Sequence, residues 1–384
     1  MRRLPVAQAL SATRSVLIRG VPPRTRRVAS IAEARQRFET VEELCRHARR
    51  VLPPRSWTFL TSGAGRDEGV RSGEEAFGRI RFVPRVFAAP TTPNLATTFL
   101  GIPLAIPVLS APFGVDGLFH PRGHLDTATG CARAGVASII PEAGTYSLET
   151  VAREAPGAAR LFQLHPGAGI EALAERAAAA GYTAVCLTAD QPVIGWRDRI
   201  REDRFEFDRR YVAGNHTAEA TDRLRRIHQA GSPAWSWADL KAFCASSPLP
   251  VLVKGVLHPS DAEAAIAAGA AGLIISTHGG RQLHSSVTSL EQLPTIRATV
   301  GPDIPLVLDS GVRRGGDIIK ALALGADAVA LGRLAAVALA AAGAIGVERL
   351  IELLAEEAMR TMQLIGASNI GMLTPELLAD GEAK

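Results

Sequence analysis

The sequence predicts a single (β/α)8 TIM barrel of the α/β class, with a short N-terminal cap and a long insertion after strand four. Three observations carry this prediction. Short apolar runs recur from about residue 105 onward, Ala-rich amphipathic segments lie between them, and polar residues gather where the runs end.

The runs are Pro107–Ala111, Ala137–Ile140, Arg160–His165, Ala184–Ala189, Pro250–Lys254, Gly272–Ser276, Pro305–Leu308 and Ala328–Leu331. Most are continuous Val/Ile/Leu/Ala stretches without alternation, as expected of parallel strands buried on both faces. Ile170–Ala180, Pro259–Ala268 and Gly316–Leu324 read as helices between them. Ahead of the barrel, the helical segment Val41–Arg50 and the turn-like Thr61–Gly65 are expected to cover one end. Residues Arg197–Ala234 break the rhythm with many charges and no clear apolar period, so a mobile loop, either a lid or a disordered segment, is expected over about 198–234. The domain reading is therefore a leader over residues 1–30, expected to be disordered, and a capped barrel over 31–384.

Composition narrows the function classes. At 47% hydrophobic and 21% charged residues, the 384-residue chain can bury a sizeable core. The net charge of +5 comes from the first thirty residues, which hold seven arginines and no acid. With aromatics at 5% and no basic stripe in the barrel, a nucleic-acid partner is not expected. The four cysteines are scattered without metal-ligand spacing, so no metal site is expected and the thiols read as reduced. No stable membrane span is read, and the expected compartment is the cytoplasm. The Arg-rich start also has the composition of a transit segment.

Polar residues at the strand ends define the candidate chemistry. Gln163 and His165 end the third run, Thr188 and Asp190 the fourth, and Lys254 the fifth. Ser276 and His278 end the sixth, Asp309 the seventh, and Gly332 and Arg333 the eighth. Catalytic groups of such barrels sit on this face. His278 and Arg281 pair a titratable base with a cation able to grip a carboxylate through two hydrogen bonds. The glycine-rich stretch Asp309–Asp317, with Gly311 and Arg313, enters a helix as a phosphate loop would, and Gly332-Arg333 repeats that arrangement after the eighth run. Lys254 reads either as a Schiff-base amine or as a cation beside an electron-rich cofactor ring.

Leu252–Val256, Ser276–Leu283, Leu308–Gly316 and Leu324-Gly325 with Gly332-Arg333 resemble the FMN-dependent 2-hydroxy acid oxidase and dehydrogenase family, which includes glycolate oxidase, lactate oxidase and mandelate dehydrogenase. Ser62–Ala64, Ala111-Pro112, Phe162–Leu164 and Leu187–Asp190 extend the likeness, which runs from about residue 35 to 375. The resemblance implies FMN as cofactor and oxidation of a small carboxylate substrate, a 2-hydroxy or related 2-amino acid, to its 2-oxo product. Electrons then pass to oxygen or another acceptor. It also implies a role for each matching residue. Pro112, Phe113, Gly114, Gln163, Thr188, Lys254 and Ser276 would meet the flavin and ribityl chain, while Asp309, Gly311, Arg313, Gly332 and Arg333 would hold ribityl and phosphate. His278 would take the substrate proton with Asp190 supporting its imidazolium, and Arg197 and Arg281 would bind the carboxylate. Homotetramers are common in the family.

The chain departs from the family at the substrate. Two tyrosines that help hold it are replaced by Phe59 and His165, and Glu142 stands where a small serine normally meets the flavin. Thr277 replaces an asparagine and His284 an aspartate. A changed substrate is the expectation. A repurposed flavin enzyme of isomerase or dehydration type, or a flavin binder without activity, are the alternatives.

Overall fold

The computed structural model describes residues 28–88, 92–216, 231–232 and 234–380. Nearly all of the leader and residues 217–230 of the insertion lie outside the described residues. Eight parallel strands close into a barrel: β1 (Val108–Ser110), β2 (Ala137–Pro141), β3 (Arg160–Leu164), β4 (Ala184–Thr188), β5 (Val251–Val256), β6 (Gly272–Ile275), β7 (Leu306–Asp309) and β8 (Ala328–Leu331). Each falls on a predicted run, and strand order follows the sequence around the ring. Leu109, Ile139, Leu161, Cys186, Leu252, Ile274 and Val307 fill the interior. The antiparallel pair Thr97–Phe99 and Ile102–Leu104 adds Phe99, Ile102 and Leu104 to this cluster. Truncating a fully packed aromatic such as Phe99 costs about 3–5 kcal/mol.

One irregularity serves the site directly. The β5–β6 register shifts between Lys254 and Val256, where Gly255 adopts φ +104°. A side chain there would meet the Cβ of Asp190 at 2.3 Å, so glycine lets β5 pass tightly beside that carboxylate.

The N-terminal cap consists of α1 (Ile31–Arg37), α2 (Val41–Val51), α3 (Pro54–Thr61) and α4 (Glu68–Arg79). Ser30 and Thr40 cap the first two through their side-chain oxygens, which the sequence shows as Ser and Thr before acidic first turns. Helices α3 and α4 lie over the C-terminal ends of the strands and bring Phe59, Leu60, Gly69 and Glu74 to the cavity there. The last helical run, Arg333–Ile365, is long and apolar enough to cross a membrane, a length the sequence reading missed. It is instead core: 83% of its most apolar window is buried, and it breaks at Ala342–Gly343, where Gly343 has φ 59° and ψ −140°.

The insertion does not match its expectation in full. Its described part includes a helical turn, Asp198–Glu202, and packs Phe205, Phe207, Tyr211 and Val212 against the core. The charges hid this, because only alternate positions in Arg204–Asp208 are apolar.

Candidate active site

A cavity of about 470 Å³ opens at the C-terminal end of the barrel. Of the residues singled out from the sequence, it is lined by Phe59, Pro112, Phe113, Gly114, Gln163, His165, Thr188, Arg197, Lys254, His278, Arg281, Asp309, Gly311, Arg313, Gly332 and Arg333. Asp190, Ser276 and Glu142 stand behind this lining.

His278 follows β6 with φ +55°, a left-handed conformation unusual for a residue with a side chain. Its backbone N–H donates to the Ser276 hydroxyl at 3.0 Å, and its Nδ1 lies 3.0 Å from Asp190 Oδ1. A carboxylate only accepts, so Nδ1 carries the proton and Nε2 is left as the basic nitrogen. Burial lowers the His278 pKa, and Lys254 and Arg197 add to this, outweighing the opposing pull of Asp190. Burial acts to raise the Asp190 pKa, but His278 and Lys254 overcome it and keep the carboxyl below its usual range.

Lys254 leaves β5 almost fully buried. Its ammonium donates to Ser276 at 3.0 Å and lies 3.6 Å from Asp309, and Ser276 in turn donates to Asp309. Burial works against the charge, yet Asp190 and Asp309 prevail and the Lys254 pKa is raised. It is therefore a fixed cation, which sets aside the neutral amine a Schiff base would start from. Ser276 places Lys254 rather than lining the cavity itself.

The arginines form two groups. Arg281 donates to the carbonyls of Phe59 at 2.9 Å and Ser62 at 2.6 Å. Arg197 donates to the Arg281 carbonyl at 3.0 Å and to Gln282 Oε1 at 3.1 Å. Gln282 also ties the loop after β4 through the carbonyls of Asp190 and Val193, a brace not recognised in the sequence. Burial drives the Arg281 pKa well down, with Arg197 and Arg333 adding repulsion; burial and Arg333 push Arg197 to about 10. Two half-buried cations held by neutral oxygens make a receptive site for a carboxylate.

The second group surrounds the expected phosphate position. Arg333 donates to the carbonyls of Leu60 and Gly279 at 3.1 and 3.0 Å, and burial, reinforced by Arg313, lowers it to about 10. The helix that begins at Arg333 has no side-chain cap, and Gly332, Arg333 and Leu334 line the cavity. The loop after β7 lines the cavity with Asp309, Gly311 and Arg313, and part of its helix start is sealed. Asp317 accepts from the backbone N–H groups of Arg313 and Arg314, and Glu357 accepts from that of Gly315. Those N–H groups are already satisfied, whereas the helix after β8 starts without a side-chain cap beside the cavity and leaves its N–H groups open to an anion. Gly311 contributes by close packing: at φ +85°, a Cβ would meet the Gly73 carbonyl at 2.3 Å.

Glu142 is fully buried and does not reach the cavity. Its Oε2 accepts from the His165 backbone N–H at 2.9 Å and lies 3.1 Å from His165 Nδ1, while His216 Nε2 lies 3.3 Å from Oε1. Asn215 donates to the Glu142 carbonyl at 2.9 Å and accepts from the Leu148 N–H at 2.7 Å. His216 and Asn215 belong to the insertion and carried no sequence signal pointing here. Thr277 is likewise structural, its hydroxyl accepting from the Gly280 N–H.

The remaining wall is aromatic. Phe59 stacks on Phe205 with ring centroids 5.0 Å apart, and Phe119 and Phe207 lie at 6.3 Å from Phe59. Ile194 and Ile200 complete this apolar end.

The residues fit FMN. A half-buried Arg333, held by backbone carbonyls beside an uncapped helix start, suits a phosphate, and Lys254 with the Pro112–Gly114 backbone suits a flat, electron-accepting ring.

Comparison with known proteins agrees. The sequence profile of FMN-dependent dehydrogenases matches residues 48–380. The chain is 39% identical over 343 residues to an L-lactate oxidase of Nostoc sp., covering 84% of this chain and 93% of that one. It is 34% identical to glycolate oxidase 3 of Oryza sativa subsp. indica, covering 87% and 94%. A crystal structure of mandelate oxidase superposes with a TM-score of 0.81 at 36% identity, covering 89% of this chain and 98% of that one. The chain belongs to the FMN-dependent dehydrogenase family and is an FMN-dependent oxidoreductase acting on 2-hydroxy acids.

Proposed function

We propose that the chain oxidises a 2-hydroxy acid whose side chain is apolar and at least as large as a phenyl ring, giving the 2-oxo acid. The observation that carries this reading is the aromatic wall of Phe59, Phe119, Phe205 and Phe207 facing a cavity that also holds Arg197 and Arg281. Such a wall offers a phenyl-sized group apolar burial and ring contacts worth about 0.5–1.5 kcal/mol each, which a methyl group cannot collect.

Arg281 and Arg197 bind the carboxylate and orient the α carbon. His278 Nε2 takes the proton, and Asp190 stabilises the imidazolium that forms and holds the ring in register. Lys254, fixed by Ser276 and Asp309, favours negative charge beside it. FMN, held by Arg333, Arg313, Gly332 and the Pro112–Gly114 backbone, supplies the two-electron acceptor. The stacked aromatic rings exclude water from the apolar end.

Hydroxy acids are favoured over 2-amino acids. Lys254 and the half-buried Arg197, Arg281 and Arg333 make the cavity cationic, Glu142 is sequestered behind His165, and the lining acids are already engaged, Asp309 by Ser276 and Lys254 and Glu74 by Arg313, so neither is spare for an ammonium group. A homo-oligomer in the cytoplasm is the proposed working form, resting on the family resemblance and the scattered, reduced cysteines.

The test is anaerobic reduction of the purified flavoprotein. Mandelate or 3-phenyllactate should bleach the oxidised-flavin absorption faster than lactate, and phenylalanine should not bleach it. Preference for lactate over both aromatic acids would overturn the side-chain assignment, and absence of bound FMN would overturn the whole reading.

A further inference from the structure

Two histidine–carboxylate pairs flank one cavity. The first, His278 with Asp190, supplies the base. The second, His165 with Glu142, has the same construction: an Nδ1-to-carboxylate contact of 3.1 Å against 3.0 Å, on a histidine that lines the cavity in front of a carboxylate that does not. His165 immediately follows β3 and faces Gln163, whose amide nitrogen lies 3.4 Å from both ring nitrogens and 3.0 Å from the Thr188 hydroxyl. Glu142 is over-determined for a filler residue. One oxygen takes the His165 backbone N–H and Nδ1, the other faces His216, and its main chain is fixed by Gln163 and Asn215. A buried carboxylate placed this carefully sets the orientation and tautomer of the ring it touches.

We infer that Glu142 is a positioning residue and His165 a substrate-contacting one: Glu142 fixes the proton on Nδ1, so that His165 Nε2 accepts a hydrogen bond from the substrate's α-hydroxyl. The inference rests on the 2-hydroxy acid reading above. The two arginines already serve the carboxylate, and His278 needs the α carbon within its reach. The hydroxyl oxygen is the polar atom still requiring a partner, and a buried hydroxyl left without one is disfavoured. His216 and Asn215 belong to the insertion, so the same carboxylate also ties the insertion to the ring that reads the substrate.

The experiment measures binding of mandelate and of phenylacetate, which lacks the hydroxyl, to the dithionite-reduced holoenzyme, where mandelate cannot turn over. The parent should prefer mandelate. Glu142→Gln keeps an oxygen for the His165 N–H but removes the charge, and should shrink that preference by about tenfold. In a His165→Tyr background the same Glu142→Gln change should have no further effect, because the coupling runs through the imidazole. Equal shrinkage in both backgrounds, or none in the parent, would overturn the inference. If Glu142→Gln does not retain FMN, His165→Phe decides: loss of the mandelate preference supports the assignment, and its retention overturns it. Failure of the parent to be reduced by mandelate or 3-phenyllactate would instead count against the proposed function itself.

Discussion

The guanidinium of Arg281 lies over the ring of Phe59 at 5.1 Å while donating to the Phe59 carbonyl at 2.9 Å. One residue of the cap thus places the carboxylate-binding cation twice, by its backbone and by its ring face. The ring carries no hydroxyl, so the polar and apolar ends of the cavity meet at Phe59.

Phe59→Tyr introduces a hydroxyl at that junction, against the stacked rings of Phe205 and Phe119. Combined with His165→Tyr, it should raise kcat/KM for lactate about tenfold while lowering it for mandelate. Steady-state kinetics on both acids reads the exchange; a parallel fall on both would show that these positions do not set specificity. Glu142 is better left in place, since replacing it would strip His216 of its carboxylate.

Arg281→Lys keeps a charge but cannot span the carbonyls of Phe59 and Ser62 while also presenting a fork to a carboxylate. Losing a charged hydrogen bond of about 1.5–3 kcal/mol should raise KM by about tenfold to a hundredfold, with a smaller change in kcat. Initial-rate measurements at saturating acceptor check it.

The pH profile follows from the environment of His278. Burial first, then Lys254 and Arg197, lower its pKa in the folded protein, so the ring stays neutral to lower pH than an ordinary histidine of about 6.5. The acidic limb of kcat/KM should therefore lie below that value. Asp190 opposes the shift, so Asp190→Asn should move the limb to still lower pH while cutting kcat by roughly a hundredfold. A limb moving upward would contradict this electrostatic account.

Arg333→Gln removes a half-buried cation from the open helix start after β8. FMN affinity should fall by about tenfold to a hundredfold, read as flavin fluorescence released on dilution, with KM little changed at saturating FMN. Asp317→Asn should behave oppositely: it weakens a helix cap and lowers the melting temperature, with FMN affinity nearly unchanged.

Phe205→Ala opens the wall against Phe59. Mandelate should lose about 1–3 kcal/mol of transition-state binding and lactate little, as competing kcat/KM values would show.

The barrel was legible because a parallel sheet buried on both faces leaves unbroken apolar runs, and Ile139, Leu161 and Val307 belong to such runs. His278, Asp190 and Lys254 were legible because strand ends on one face of a barrel converge. Phe205 and Phe207 were not, because their neighbours Arg204, Glu206 and Asp208 mask a two-residue alternation within a charged loop. The surroundings of Glu142 were hidden for a different reason. They depend on Asn215 and His216 returning from some seventy residues downstream, a contact that no local pattern encodes.

The sealing of one helix start by Asp317 and Glu357, beside the open one at Arg333, separates two burdens that barrel loops often share. Substitutions at Asp317 and Glu357 can accumulate as changes in heat tolerance, while those at Arg313, Gly332 and Arg333 alter how firmly the prosthetic group is retained. An engineer could harden this enzyme from one side without retuning its cofactor on the other.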